Sequence, residues 1–152
     1  MKQREEPNRG YLATVVGCYC PRCREGKLFQ HTTSVKLRRN LLMYEKCLSC
    51  GQLTDIEVGF YYGTGFVSYF ICILFSVLSF LLWWLVLGFS YNDNRFIYWV
   101  ILNASFLLLS QPWLMRFSRS LWISWFVSYD PQWRTTKPFD TGRLNADQMT
   151  NW

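Results

Sequence analysis

A long uninterrupted apolar segment divides the chain. Residues 66–88 contain no charged side chain. As an α-helix they would extend about 34 Å, more than the hydrocarbon thickness of a bilayer at about 30 Å. A second apolar segment, residues 96–115, follows after a short polar stretch. A soluble chain of 152 residues cannot easily enclose such a helix in a core. The pattern therefore predicts an α-helical transmembrane hairpin whose first helix covers residues 66–89.

Two pairs of cysteines dominate the more polar N-terminal part of the chain. Cys20 pairs with Cys23 and Cys47 with Cys50, each with C-x2-C spacing, and 23 residues separate the pairs. A C-x2-C turn aims two thiolates at one ion, and two such turns supply the four sulfur ligands of a structural zinc site. β-Branched and apolar residues between the pairs suit short strands. Residues 17–54 are therefore predicted to form a small β zinc ribbon that holds one structural Zn²⁺.

The cysteines allow other interpretations. They could be buried thiols without a metal, or a reactive dithiol, although no βαβ pattern surrounds either pair. Cys18 could replace Cys20 as a ligand, but its C-x4-C spacing to Cys23 makes a poorer turn, so we expect a spare thiol. His31 is expected in a solvated loop, and Arg22 is expected to be exposed beside the metal site. Four cysteines would fill the zinc coordination sphere and leave no position for catalysis.

Residues 55–65 join the predicted ribbon to the first span. Three glycines and three aromatic residues in this segment suit a chain that bends at the depth of the lipid headgroups, where aromatic side chains form a belt. A contact with a partner protein is the alternative role of the segment. The candidate contact residues are Glu57, Phe60, Tyr61 and Tyr62.

The ordered motifs resemble those of a bacterial membrane family known only as domain of unknown function 983, in the form typical of Bacteroidota. The motifs are C-P-R-C-R-x-G-K-L-F from residue 20, C-x-x-C-G from residue 47, E-x-G-F-Y-Y-G from residue 57 and V-S-Y from residue 67. The resemblance covers residues 18–131, with Val58 in a place where the family has proline. It implies a zinc ribbon followed by a two-span membrane hairpin, and it brings no established activity.

Small residues recur at helical spacing along the first span. They are Ser68, Cys72, Ser76 and Ser79. In lipid such a stripe lets another helix approach closely, and Asn103 is the polar residue of the second span nearest the middle of the membrane. We therefore expect these five residues to pack the two spans together or to contact a partner.

An amphipathic helix at the membrane interface is predicted after the second span. Its aromatic residues share one face, whereas Arg116, Arg119 and Ser120 point elsewhere. The remaining predicted segments are a polar tail and lead-in (1–16), an external loop (90–95), this interfacial helix (116–130) and a polar C-terminal tail (131–152).

The distribution of basic residues predicts the orientation of the hairpin. Lys46 precedes the first span, Arg116, Arg119 and Arg134 follow the second, and Arg95 stands alone in the connecting loop. Cytoplasmic segments carry the excess of Lys and Arg, so both termini are expected in the cytoplasm of a bacterium, with the protein crossing the inner membrane twice. A reducing compartment also suits zinc-bound thiolates. The first ten residues lack the apolar segment of a signal peptide, so we expect the first span to be retained.

The combined features favour a non-enzymatic accessory or assembly protein. Its partners would be the lipid bilayer and an integral membrane protein or further copies of itself. A thiol oxidoreductase or metal chaperone that uses the C-x2-C pairs is the alternative. A membrane-tethered nucleic-acid binder ranks third, because basic residues next to a membrane also suit anionic headgroups. The basic residues in question are Arg22, Arg24, Lys27, Lys36, Arg38 and Arg39.

Overall fold

The chain forms a two-helix hairpin that carries a small cysteine-containing module at one end. A computed structural model describes residues 9–33, 36–88 and 94–140. The helices in these ranges are α1 (Tyr11–Val16), α2 (Leu37–Asn40), α3 (Thr64–Leu87) and α4 (Arg95–Phe126), and a 3₁₀ turn at Phe60–Gly63 leads into α3.

Helices α3 and α4 run antiparallel and are joined by polar contacts. The hydroxyls of Ser68 and Ser118 lie 2.7 Å apart near the end that carries the module. Further along α3, the amide of Asn103 donates to the Ser76 hydroxyl at 3.0 Å, and the Ser79 hydroxyl donates to the Asn103 carbonyl oxygen at 3.3 Å. Small side chains let the helices approach, and the amide then finds partners that lipid cannot offer.

Aromatic contacts and a further small residue complete this packing. The rings of Phe75 and Phe106 stack with centroids 4.5 Å apart. The indole nitrogen of Trp99 donates to the Ser79 hydroxyl at 3.3 Å. Cys72, which lies on the same helix as the serines, is half-buried.

Both helices are long and apolar enough to cross a membrane. At 1.5 Å per residue, α3 is about 36 Å long and α4 about 48 Å. The most apolar 18-residue window of Phe60–Leu87 has 0% of its residues buried inside the protein, and that of Arg95–Phe126 has 6%. The core helix of a soluble protein would be mostly buried, so this exposure favours a lipid environment.

Helix α4 continues without a break past residue 115, where the sequence predicts that the second span ends and a separate interfacial helix begins. The predicted span 96–115 and interfacial helix 116–130 form one helix, Arg95–Phe126. Pro112 inside this helix removes one backbone hydrogen bond. The side-chain amide of Asn40 donates to the Pro112 carbonyl at 2.6 Å and so fixes α2 against the helix. Residues 89–93, which include most of the predicted loop 90–95, lie outside the described ranges.

Helix α4 contacts the cysteine module through a face that carries a basic, a small polar and two aliphatic residues. Arg116, Ser120, Ile123 and Val127 recur at helical spacing and are at most 8% exposed. Trp125 and other aromatic side chains of this half of α4 are exposed. The amphipathic pattern is therefore present, but Arg116 and Ser120 point into the protein because the cysteine module packs on their side.

The cysteine module contains no strand ladder within the described residues, so the predicted β ribbon is not confirmed. Three isolated antiparallel bridges are present, Tyr19↔Lys27, Phe29↔Met43 and Lys46↔Leu53. Each C-x2-C turn is closed by only a few backbone hydrogen bonds, such as Cys20 N–H to the Gly26 carbonyl at 2.7 Å and Cys47 N–H to the Gln52 carbonyl at 2.8 Å. The paired segments are too short for a continuous ladder.

Candidate metal centre

The two cysteine pairs converge on one point. The Sγ atoms of Cys20, Cys23, Cys47 and Cys50 all lie within 4.8 Å of one another. Sulfurs of different pairs lie close together, with Cys20 to Cys50 and Cys23 to Cys47 both at 3.7 Å. In a tetrahedral site with Zn–S bonds of about 2.3 Å, neighbouring sulfurs are about 3.8 Å apart. The cluster therefore has the donor atoms and the spacing to hold one metal ion.

Both C-x2-C turns have the same backbone form. Arg24 N–H donates to the Cys20 carbonyl at 2.8 Å, and Gly51 N–H donates to the Cys47 carbonyl at 2.9 Å. Arg24 and Gly51 have φ values of 58° and 69°, in the left-handed region that favours glycine. Gly51 takes this conformation without a side-chain penalty.

Arg24 occupies the left-handed position of the first turn despite its side chain. Its guanidinium carbon lies 4.0 Å from the centre of the Tyr129 ring, and its Nη1 donates to the Arg9 carbonyl at 2.7 Å. A cation over an aromatic face and a charge-assisted hydrogen bond each contribute about 1 kcal/mol. These contacts offset the backbone cost, which is of similar size.

Gly26 is a requirement of the site that the cysteine spacing does not reveal. A Cβ atom built at Gly26 would lie 2.4 Å from the Cys47 sulfur. Carbon and sulfur cannot approach this closely, so a larger residue would push a ligand away from the cluster. The G-K-L-F motif after the first cysteine pair is the signal that could have indicated this position.

The four thiols lie within hydrogen-bonding reach of one another, so their ionisation is coupled. Hydrogen bonding from Cys20 holds the pKa of Cys47 well below that of an ordinary thiol, while hydrogen bonding with Cys23 raises the pKa of Cys20. Close thiols therefore cannot all ionise independently. A divalent cation at their centre would remove this conflict by stabilising the thiolates, and its uptake would release protons.

Arg22 is buried, which corrects the expectation of an exposed residue. It is 3% exposed, and its guanidinium donates to the carbonyls of Cys50 at 3.2 Å, Thr136 at 2.8 Å and Lys137 at 3.0 Å. It also forms an ion pair with Asp130 at 3.2 Å. The chain after α4 folds back over the cysteine cluster, and its carbonyls meet the guanidinium there.

Gln52 makes a second connection to the same returning segment. Its side chain is fully buried, its Nε2 donates to the Phe139 carbonyl at 2.7 Å, and its Oε1 accepts from Phe139 N–H at 2.9 Å. We call residues 130–139 the C-terminal strap. Part of the predicted polar tail 131–152 is thus attached to the cysteine module, and residues 141–152 lie outside the described ranges.

The candidate contact residues between the module and α3 divide into two groups. Tyr61 is buried with its hydroxyl donating to the Thr54 carbonyl, and Phe60 packs against Phe126 with ring centroids 5.0 Å apart. Tyr62 is 75% exposed, and Glu57 is half-buried. Of the three aromatic residues, Tyr62 alone has the exposure expected of an interfacial belt or a partner contact.

Cys18 and His31 lie outside the cluster of four sulfurs. Cys18 is buried beside Arg116 and Ser120, and burial raises the pKa of its thiol. His31 is half-buried in the loop that follows the first turn. Among the described residues, the candidate metal ligands are the four cysteines of the two C-x2-C turns.

The fold and the site define a helical-hairpin protein with a four-cysteine candidate metal centre. No family model, no curated protein and no solved structure matches the chain. The resemblance to the domain of unknown function 983 family therefore stays a prediction from the motifs. The cysteine cluster and the hairpin are the features from which a function can be inferred.

Proposed function

We propose that the protein is a non-enzymatic accessory or assembly protein of the bacterial inner membrane, in which one structural Zn²⁺ fixes a cytoplasmic module on a membrane hairpin. The observation that carries this proposal is the convergence of four sulfur atoms within 4.8 Å. Four sulfur ligands fill a tetrahedral zinc site, whereas catalytic zinc keeps one position for water or substrate. Sulfur ligation also suits iron, so the identity of the metal is part of the test.

The packing around the cluster supports a scaffolding role. Cys20, Cys23 and Cys47 share one hydrophobic cluster with Leu28 and with Ile123 of α4. The C-terminal strap is attached to the same module. A bound metal would therefore stabilise the contact between the module and the hairpin as well as the module itself, which gives a partner protein a rigid surface.

The two alternatives receive less support from the geometry. A C-x2-C redox pair needs a thiol that a partner can reach, but Cys20, Cys23 and Cys47 are at most 3% exposed. A nucleic-acid interface would lose Arg22 and Arg24, because both guanidinium groups are bound within the protein. Lys27, Arg38 and Arg39 remain exposed, and they suit anionic lipid headgroups equally well.

The orientation follows from charge. The module lies at the end of the hairpin where α3 begins and α4 ends, and this end carries Arg116 and Arg119. We place it in the cytoplasm because the positive-inside rule and the need for reduced thiols agree. Cytoplasmic reporters fused before residue 1 and after residue 152 should be active, whereas an external C-terminus would contradict the hairpin orientation.

Co-purification tests the accessory role. The full chain, tagged and extracted in mild detergent, should recover a defined set of membrane proteins or further copies of itself. Cys47→Ser should reduce that recovery because it removes a metal ligand, and Cys72→Ser should not, because Cys72 lies outside the cluster. Equal recovery by both variants, or redox turnover of small disulfides by the purified protein, would contradict the proposal.

A further inference from the structure

A cavity of about 540 Å³ lies between the cysteine module and α4. The loop that follows the first cysteine turn forms one wall, and Arg116 of α4 contributes to its lining. The volume is within the range of small-molecule binding sites, about 300–1,000 Å³. None of the four cluster cysteines lines this cavity, although Leu48 and Ser49, which lie between Cys47 and Cys50, do.

Arg116 is a buried cation for which the described residues offer no counter-ion. The residue is 8% exposed, its guanidinium lies over the Phe29 ring at 4.2 Å, and its Nη1 is buried without a hydrogen-bond partner. In the part of the chain that the structure describes, no carboxylate forms an ion pair with it. The Cys18 side chain lies beside it and also lines the cavity. A buried charge of this kind calls for an anionic partner.

The other side chains at the cavity fit an oxyanion. Lys27 adds a second cation, and Thr32, Thr33 and Ser49 add hydroxyl groups. Among the described lining residues there is no carboxylate. Guanidinium forks bind phosphate and carboxylate oxygens through paired hydrogen bonds. Two cations and three hydroxyl-bearing residues offer more donors than the two oxygens of a carboxylate need, and they match the three free oxygens of a phosphate better.

The position of the cavity along the hairpin indicates where its ligand could come from. Ser118, two residues after Arg116, contacts Ser68 in the second turn of α3. Arg116 therefore lies close to the level at which the helices leave the module. A phosphate at this level is available either from solution or from a lipid headgroup.

We propose that this cavity binds a phosphate group, with Arg116 as the anchoring residue and Lys27 as the second cation. The phosphate belongs either to a soluble phosphate compound or to an anionic phospholipid. Both sources share the chemistry that the cavity recognises, and the experiment separates them.

Calorimetric titration of the full chain in dodecyl maltoside with inorganic phosphate gives the first test. Arg116→Gln should weaken binding by about tenfold or more, and Lys27→Gln by about threefold. Arg38→Gln, which removes an exposed cation outside the cavity, should leave the affinity unchanged. Because Lys27 is exposed, its variant keeps the test valid if Arg116→Gln does not fold.

The second arm adds phosphatidic acid to the micelles and measures the melting temperature. Stabilisation by the lipid that requires Arg116, without binding of inorganic phosphate, would identify a headgroup as the ligand and support the proposal. Binding of both probes with the same dependence on Arg116 would support a soluble ligand. If neither probe depends on Arg116, or if acetate binds as tightly as phosphate, the proposal is wrong.

Discussion

The attachment of the C-terminal strap to the cysteine module should depend on Arg22. Replacing it with glutamine removes a guanidinium that donates to the carbonyls of Cys50, Thr136 and Lys137. The glutamine side chain is shorter and cannot reach all three acceptors. We therefore expect Arg22→Gln to release the strap and to destabilise the module.

The magnitude follows from these hydrogen bonds. Each is worth about 1 kcal/mol net, so three acceptors give about 3 kcal/mol. Part of this is offset because the variant no longer buries a charge. The ion pair with Asp130 adds little, because that carboxylate is partly exposed to water. The expected loss is about 2–3 kcal/mol, which lowers the melting temperature by roughly 5–10 °C for a chain of this size.

Tryptophan fluorescence and limited proteolysis measure the two effects. The melting curve of the detergent-solubilised protein gives the stability, and chymotryptic cleavage at Trp133 reports release of the strap. Arg38→Gln is the control, since it also replaces an arginine with glutamine but at an exposed position of α2. If Arg22→Gln has the same melting temperature and the same cleavage rate as the unaltered protein, Arg22 does not hold the strap.

Acid should weaken the same attachment. The Thr136 hydroxyl, which donates to Asp130, and the Arg22 guanidinium hold the pKa of Asp130 below its ordinary value. A carboxyl with a depressed folded-state pKa stabilises the fold above its unfolded-state pKa, about 3.9, and loses that contribution as the pH falls through the folded-state value. Asp130→Asn should therefore be less stable than the unaltered protein near pH 7, and the difference should shrink below about pH 4 and disappear once the pH is below the folded-state pKa. A difference that stays constant with pH would contradict this assignment.

Two further substitutions test close packing. Gly26→Ala should weaken metal binding by at least about tenfold, because its Cβ would lie 2.4 Å from the Cys47 sulfur. The control Gly65→Ala, at a position with open space around it, should keep full metal content by elemental analysis, and equal metal in both variants would refute the contact. Ser76→Leu should lower accumulation of folded protein because Ser76 accepts a hydrogen bond at the α3–α4 contact, whereas Leu78→Phe, at a 56% exposed position, should be tolerated. Equal accumulation of these two variants by fluorescence-detected size-exclusion chromatography would show that the small-residue stripe does not pack the helices.

The sequence is most informative where local chemistry decides the structure. Each C-x2-C turn positions its own pair of cysteines, and two such turns supply the four sulfur ligands of one zinc ion, which is enough to predict that Cys20, Cys23, Cys47 and Cys50 lie together. The absence of charge over residues 66–88 is enough to predict a long apolar helix. In both cases neighbouring residues carry the information.

Contacts between distant parts of the chain could not be predicted in the same way. Arg22 and Thr136 are 114 residues apart, and nothing near Arg22 indicates that a returning segment will cover it. Arg116 and Ser120 follow a correct amphipathic pattern, but which side faces solvent depends on where the module packs. The β ribbon was expected from residue composition, yet the paired segments are too short for a ladder.

The metal content of the purified protein tests the central claim most directly. Elemental mass spectrometry of the full chain in detergent should find one zinc ion per molecule. Serine variants of Cys20, Cys23, Cys47 or Cys50 should lose it, and Cys18→Ser should retain it. Protein without stoichiometric zinc, or zinc that is lost with Cys18→Ser and kept with Cys20→Ser, would contradict the proposed metal centre.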